Sequence, residues 1–223
     1  MSQKESKLEF ALRKLQSLSG FLPLCVFLMF HLVANAVIMI SPGYYYKFIN
    51  TMATIPGLIV IELVIIFLPL ILHGCMGLYI VLTGRNNPRR YPYFRNWAFL
   101  LQRISGVVIF AFLIYHVLTI KYGSDHSAAT MILSLNAQFN TTWSAIFYVI
   151  ALICVSFHVC NGLWGFAINW GILVGMRAQK VFGYVCIVLF IILLIFWLFV
   201  MMNFLGLSDG VLKDLFILQI NGF

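Results

Sequence analysis

Five long apolar stretches, at roughly 18–40, 56–84, 98–121, 143–173 and 178–206, constrain this chain more than any other feature. Each reaches the ~20 residues that a helix needs to cross the hydrocarbon core of a bilayer. A backbone in hydrocarbon must satisfy its own polar groups, and a helix does so within one segment. The sequence therefore predicts an all-α integral membrane protein, one domain over 1–223 with five transmembrane helices. A hydrophobic fraction of 63% and a charged fraction of 9% exclude an ordinary soluble domain. The residues left between the stretches leave no room for a soluble catalytic domain.

The formal charge of +8 is distributed by topology, so it does not signal nucleic-acid binding. Lys4, Lys7, Arg13 and Lys14 precede helix 1; Arg85, Arg89, Arg90 and Arg95 lie between helices 2 and 3; Arg177 and Lys180 lie between helices 4 and 5. The alternate loops hold Lys47 and Lys121, and the C-terminal tail holds Lys213. The positive-inside rule places the N-terminus inside and the C-terminus outside. Ala34-Asn35-Ala36 mimics a signal-peptidase site after the first stretch, but cleavage there would remove His31, which belongs to the repeat described next. The five cysteines fall within helices without framework spacing and read as small buried apolar residues.

The chain repeats itself. "HGCMGLY" (His73–Tyr79) in helix 2 matches "HVCNGLW" (His158–Trp164) in helix 4. Upstream, "LQSLSG" (Leu15–Gly20) opens helix 1, which reaches His31, and "LQRISG" (Leu101–Gly106) opens helix 3, which reaches His116. Two hairpins of the same orientation imply a pseudo-twofold axis along the membrane normal. Such an axis pairs His31 with His116 and His73 with His158, each pair at its own depth. His73 lies 12 residues before Arg85, about 18 Å along a helix and so toward the inner side. His116 lies 21 residues after Arg95, about 31 Å and so toward the outer side. Gly20 to His31 spans 11 residues and Gly106 to His116 spans 10. Pro23 lies in the longer interval, where a local bulge would absorb the extra residue.

Two histidine pairs at two depths point to two haems b, each held by two neutral imidazoles within a four-helix bundle. Gly77 and Gly162, four residues after a histidine and on the same helical face, would let a flat macrocycle approach the backbone. Ser19 and Ser105, three turns before the outer histidines, would face the interior near the inner haem. Cys75 and Cys160 point away from that face. The alternative is a set of hydrogen-bonded structural histidines, or a haem-free transporter or assembly protein; a proton or metal relay expects more membrane acids than this chain has. His126, beside Asp125, reads as a solvated loop residue. Helix 5 has no histidine and no repeat partner, so it is expected to pack outside the bundle, with Trp197 a lipid-facing or packing residue.

Glu62 is the one carboxylate within an apolar stretch. It precedes His73 by 11 residues, three turns outward on nearly the same face. A buried carboxyl there could exchange the proton of a quinol beside the outer haem; an interfacial acid reaching water is the alternative.

"SLSGFLPLCVFLMFHLVAN", "IELVIIFLPLILHGCMGLYI", "QRISGVVIFAFLIYHV" and "SFHVCNGLWGFAINWG" together resemble the dihaem cytochrome b anchors of the succinate dehydrogenase/fumarate reductase family, the type with a single five-helix anchor, and especially its cytochrome b558 members. The resemblance implies haem ligation by His31, His73, His116 and His158, menaquinone as the membrane electron carrier, and docked flavoprotein and iron–sulfur subunits. It also implies the bacterial cytoplasmic membrane, contact with lipid, and an assembly that can extend to a dimer of heterotrimers. Succinate/fumarate chemistry would then take place on the flavoprotein. Some fumarate reductases of the family carry a glutamate two residues before the helix-4 histidine, where this chain has Ser156. Dihaem anchors of hydrogenase, formate dehydrogenase or nitrate reductase are the runner-up.

Overall fold

The computed structural model describes residues 7–84, 87–123 and 128–206. The expectations on Lys4, Arg85, Asp125, His126 and Lys213 lie outside the described residues. Among the described residues, five helices are long and apolar enough to cross a membrane: α1 (Lys7–Met39), α3 (Leu58–Thr83), α4 (Phe94–Lys121), α6 (Thr142–Asn169) and α7 (Met176–Leu205). Two shorter helices, α2 (Pro42–Ala53) and α5 (Ala128–Asn140), lie in the connections. No strand occurs among the described residues. Large apolar side chains such as Leu22, Val33, Ile71, Leu118 and Ile192 are exposed along the spans, a surface that suits lipid and not water.

Helix α1 is already formed at Lys7, well before its apolar stretch, because the amphipathic lead-in is itself helical. Arg13 donates to Glu9 at 2.9 Å, one turn away. Within α1 the segment Gly20–Cys25 is π-helical and contains Pro23. Proline has no N–H to give and its ring crowds the carbonyl four residues back. A wider π turn removes that conflict and inserts one residue, which takes up the extra residue between Gly20 and His31. Glu62–Phe67 at the start of α3 and Val117–Lys121 at the end of α4 are π-helical as well.

The connections carry conventional stop and start signals. Ser41 caps α2, its Oγ accepting from Tyr44 N–H at 3.1 Å, with Pro42 in the first turn. Between α6 and α7, Gly171 adopts φ +72°, open to glycine without strain. Gln179 braces that turn: its Nε2 donates to Leu173 O at 2.9 Å, and its own carbonyl accepts from Trp164 Nε1 at 2.8 Å. Arg95 donates to Gln179 Oε1.

The chain divides into two compact units. The first comprises Met1–Leu28, Ile59–Val107 and Phe157–Phe190. Its packing includes Phe21 stacked on Phe166 at 4.2 Å and Phe157 edge-on to Phe190. Arg103 is buried there, donating to Ile80 O at 3.1 Å near the C-terminal end of α3 and lying 4.3 Å from the Phe99 ring centre. The second unit comprises Met29–Leu58, Val108–Ser156 and Ile191–Phe223. Its core is aromatic: Phe139 meets Tyr148 and Phe204, and Tyr45 meets Phe204. Ala128, Ala129 and Ile132 of α5 are fully buried, and Asn136 ties α5 to α7 by donating to Phe204 O at 2.9 Å.

Candidate functional site

The histidines meet in two pairs, one in each unit. In the first unit, His73 of α3 faces His158 of α6, ring centres 6.2 Å apart and planes at 79°. In the second, His31 of α1 faces His116 of α4 at 6.0 Å and 81°. Two imidazoles that bind one metal ion from opposite sides have ring centres about 6 Å apart, since each metal–nitrogen bond is about 2 Å and the nitrogen sits roughly 1 Å from its ring centre. Both pairs match that separation, and the donor set, two imidazoles, suits iron.

The repeated hexapeptide explains how the first pair is held. Gln16 O accepts from His73 Nδ1 at 2.9 Å, and Ser19 Oγ donates to the same carbonyl at 2.9 Å. On the matching helix, Ser105 Oγ lies 3.2 Å from His158 Nδ1 and bonds Gln102 O at 3.1 Å. In both histidines Nδ1 is engaged, which fixes the ring and leaves Nε2 available to a metal; this is the arrangement that orients metal-bound imidazoles. Ser19 and Ser105 are both buried. The last residue of each hexapeptide is glycine because the imidazole rests on it. A Cβ on Gly20 would come within 2.7 Å of His73 Nδ1, and one on Gly106 within 3.1 Å of His158 Cε1.

The glycines after the histidines behave differently from one another. A Cβ on Gly77 would meet nothing within 4 Å, whereas one on Gly162 would lie 3.3 Å from Gln102 Nε2. Gln102 uses that space: its amide donates to His158 O at 3.0 Å and accepts from Asn161 Nδ2 at 2.8 Å. Cys75 is exposed and Cys160 buried.

The second pair has other supports. His116 Nδ1 lies 3.0 Å from Tyr148 OH, and Phe112 stacks on the His116 ring at 5.5 Å. Asn35 Nδ2 donates to His31 O at 2.8 Å and lies 3.4 Å from His31 Nε2. Asn35 Oδ1 in turn accepts from Tyr45 OH at 3.1 Å. Tyr45 is buried, and burial pushes its phenol above the ordinary value, so it stays a neutral donor. Tyr115 and Ser144 both donate to Gln138 Oε1, joining α5 to α4 and α6. Trp197 of α7 is buried, its ring centre 6.1 Å from that of His31. It is therefore not lipid-facing: helix 5 contributes a residue to the surroundings of His31.

Glu62 is half-buried, opens the π-helical segment of α3, and belongs to the first unit, with His73 and His158. Ser156 is fully buried, and its Oγ has no protein partner. Gln16, Gly20, Gln102 and Gly106 have roles that the sequence signalled only by recurring. Asn35, Tyr148 and Trp197 carried no such signal.

Known proteins resemble this chain. The family model for the succinate dehydrogenase/fumarate reductase transmembrane subunit matches residues 84–200. The succinate dehydrogenase cytochrome b558 subunit of Bacillus subtilis (strain 168) is 35% identical over 185 residues, 83% of this chain and 92% of that protein. The residues that the family model matches include His116 and His158, and the longer match extends the likeness over most of the five-helix chain: this protein belongs to the family of succinate dehydrogenase/fumarate reductase transmembrane subunits.

Proposed function

We propose that this chain is the haem- and quinone-binding anchor of a succinate:menaquinone oxidoreductase or menaquinol:fumarate reductase, passing electrons between iron–sulfur clusters of a partner subunit and quinone in the membrane. The observation that carries the reading is the pair of imidazole couples at 6.0 and 6.2 Å, in two separate units. His31 with His116 would hold one haem b and His73 with His158 the other. Bound haem supplies one-electron chemistry. The protein residues supply ligation and orientation: Gln16 O and Ser105 Oγ fix the rings of His73 and His158, and Tyr148 OH that of His116. Attachment is non-covalent, because the chain has no Cys-x-x-Cys-His. Family membership sets aside the anchors of hydrogenase, formate dehydrogenase and nitrate reductase.

Glu62 is the proposed site of proton exchange with quinone. A π turn at its position supports this, since such turns gather at functional sites. The flavoprotein and iron–sulfur subunits dock on the inner face, whose edge carries Arg13, Lys14, Arg89, Arg90 and Arg95; anionic lipid headgroups suit the same charges. The N-terminus lies on that inner side and the C-terminus outside.

The test is a reduced-minus-oxidised spectrum with a haem assay on the purified complex. Two b-type haems per chain with covalent flavin in a partner subunit support the reading; a haem-free chain overturns it.

A further inference from the structure

Trp197 has a feature that packing alone does not explain. Its indole is buried, 8% exposed, and its Nε1–H has no hydrogen-bond partner. Buried donors nearly always have one. Trp164 does: its Nε1 donates to Gln179 O at 2.8 Å. Trp170 Nε1 lies 3.3 Å from Ser17 Oγ. The side chain next to Trp197 is a histidine of the outer pair, ring centre 6.1 Å away and planes at 45°. A tryptophan that needed only to fill space against that ring could be a phenylalanine, with no donor to satisfy.

We propose that Trp197 is a ligand-binding residue of the outer histidine pair, its indole N–H donating to an sp² oxygen, carboxylate or carbonyl, of a non-protein group bound there. The inference rests on the reading that His31 and His116 hold a haem. Two sources carry that oxygen: a propionate of the haem itself, or the carbonyl of a quinone docked against it. Either makes α7 part of the cofactor site, although it contributes no histidine and lies outside the repeat.

The two sources separate in one variant of the intact complex, Trp197→Phe, which keeps an aromatic ring against His31 and removes only the donor. With a propionate acceptor, loss of the donor leaves the anion less stabilised, and the outer haem becomes harder to reduce. Its reduced-to-oxidised ratio at fixed ambient potential falls about three- to tenfold, the larger value corresponding to ~59 mV for a one-electron couple. With a quinone acceptor, the haem potentials hold, and the dissociation constant of a short-chain naphthoquinone, measured by equilibrium dialysis, rises about tenfold. The inner haem in the same sample reports that the fold is intact. Trp164→Phe, whose donor already has a protein partner, should leave both readouts unchanged. If Trp197→Phe does not assemble, benzothienylalanine placed at 197 replaces N–H by sulfur at nearly constant shape and is measured in the same way. Two normal haem potentials and unchanged naphthoquinone affinity without the indole N–H would overturn the proposal while leaving the dihaem reading intact. A wild-type complex lacking an outer haem would remove the reading itself.

Discussion

Alanine at the two equivalent glycines, Gly20 and Gly106, should have very unequal effects. On helix propensity alone both changes would stabilise, since glycine inside a helix costs up to about 1 kcal/mol relative to alanine. The imidazoles reverse this at one position. A Cβ on Gly106 would lie 3.1 Å from His158 Cε1 and 3.6 Å from its Nδ1, so the ring needs to move by a few tenths of an ångström. A Cβ on Gly20 would lie 2.7 Å from His73 Nδ1, about 0.8 Å short of the ~3.5 Å at which such contacts become favourable (3.5 − 2.7). Cε1 of the same ring would be closer still, so the whole ring must retreat, and with it the Nδ1 bonded to Gln16 O at 2.9 Å. Moving it by that amount away from the carbonyl stretches the hydrogen bond beyond useful range.

Gly20→Ala should therefore release the Nδ1 anchor of His73 and tilt its ring away from the axis shared with His158. Loss of such a supporting contact typically lowers metal affinity by roughly 10–100-fold. The expected result is a complex that assembles and keeps the outer haem but is depleted in the inner one, while Gly106→Ala retains both. Haem content by pyridine haemochrome, together with low-temperature spectra that resolve the two α bands, reads the outcome. Full inner-haem occupancy in Gly20→Ala, or loss of the outer haem instead, would refute the reasoning.

Three further outcomes are expected. His31→Ala and His116→Ala should each deplete one haem, and His73→Ala and His158→Ala the other; removal of the same haem by His31→Ala and His158→Ala would break the pairing. Tyr148→Phe should keep both haems and alter the redox potential of the outer one alone, because only His116 loses its Nδ1 partner; a potential titration that moves the inner haem would contradict this. Glu62→Gln should keep both haems and succinate oxidation by a soluble dye, yet lower quinone-linked turnover by ~10²–10⁴-fold, the usual contribution of a general acid–base group; near-normal menaquinone turnover would leave Glu62 a structural residue.

What was legible in the sequence, and what was not, follows from which contacts repeat. Five spans followed from length and hydropathy, because lipid leaves the backbone few choices. The hexapeptides Leu15–Gly20 and Leu101–Gly106 recur because each supports an imidazole over a bare glycine, His73 through the Gln16 carbonyl and His158 through the Ser105 hydroxyl. Matching short strings therefore disclosed the histidine pairing and, through the Pro23 interval, the π turn of α1. Nothing comparable marks the pair of His31 and His116. Tyr148 and Asn35 are not repeat equivalents of each other, and Trp197 comes from α7, which has no counterpart in the repeat. Their roles depend on tertiary neighbours that no short spacing encodes. The same asymmetry carries functional weight. Two chemically identical bis-imidazole sites with identical surroundings would hold haems of similar potential. A carbonyl and a serine hydroxyl around one pair, and a phenol, an amide and an unpaired indole donor around the other, give the two sites different electrostatic settings. Hydrogen bonding around the axial ligands is one of the protein's means of setting haem potential. The half of the site that the sequence concealed is thus the half in which this chain departs from its own internal symmetry, and where the potentials of the two haems would be set apart.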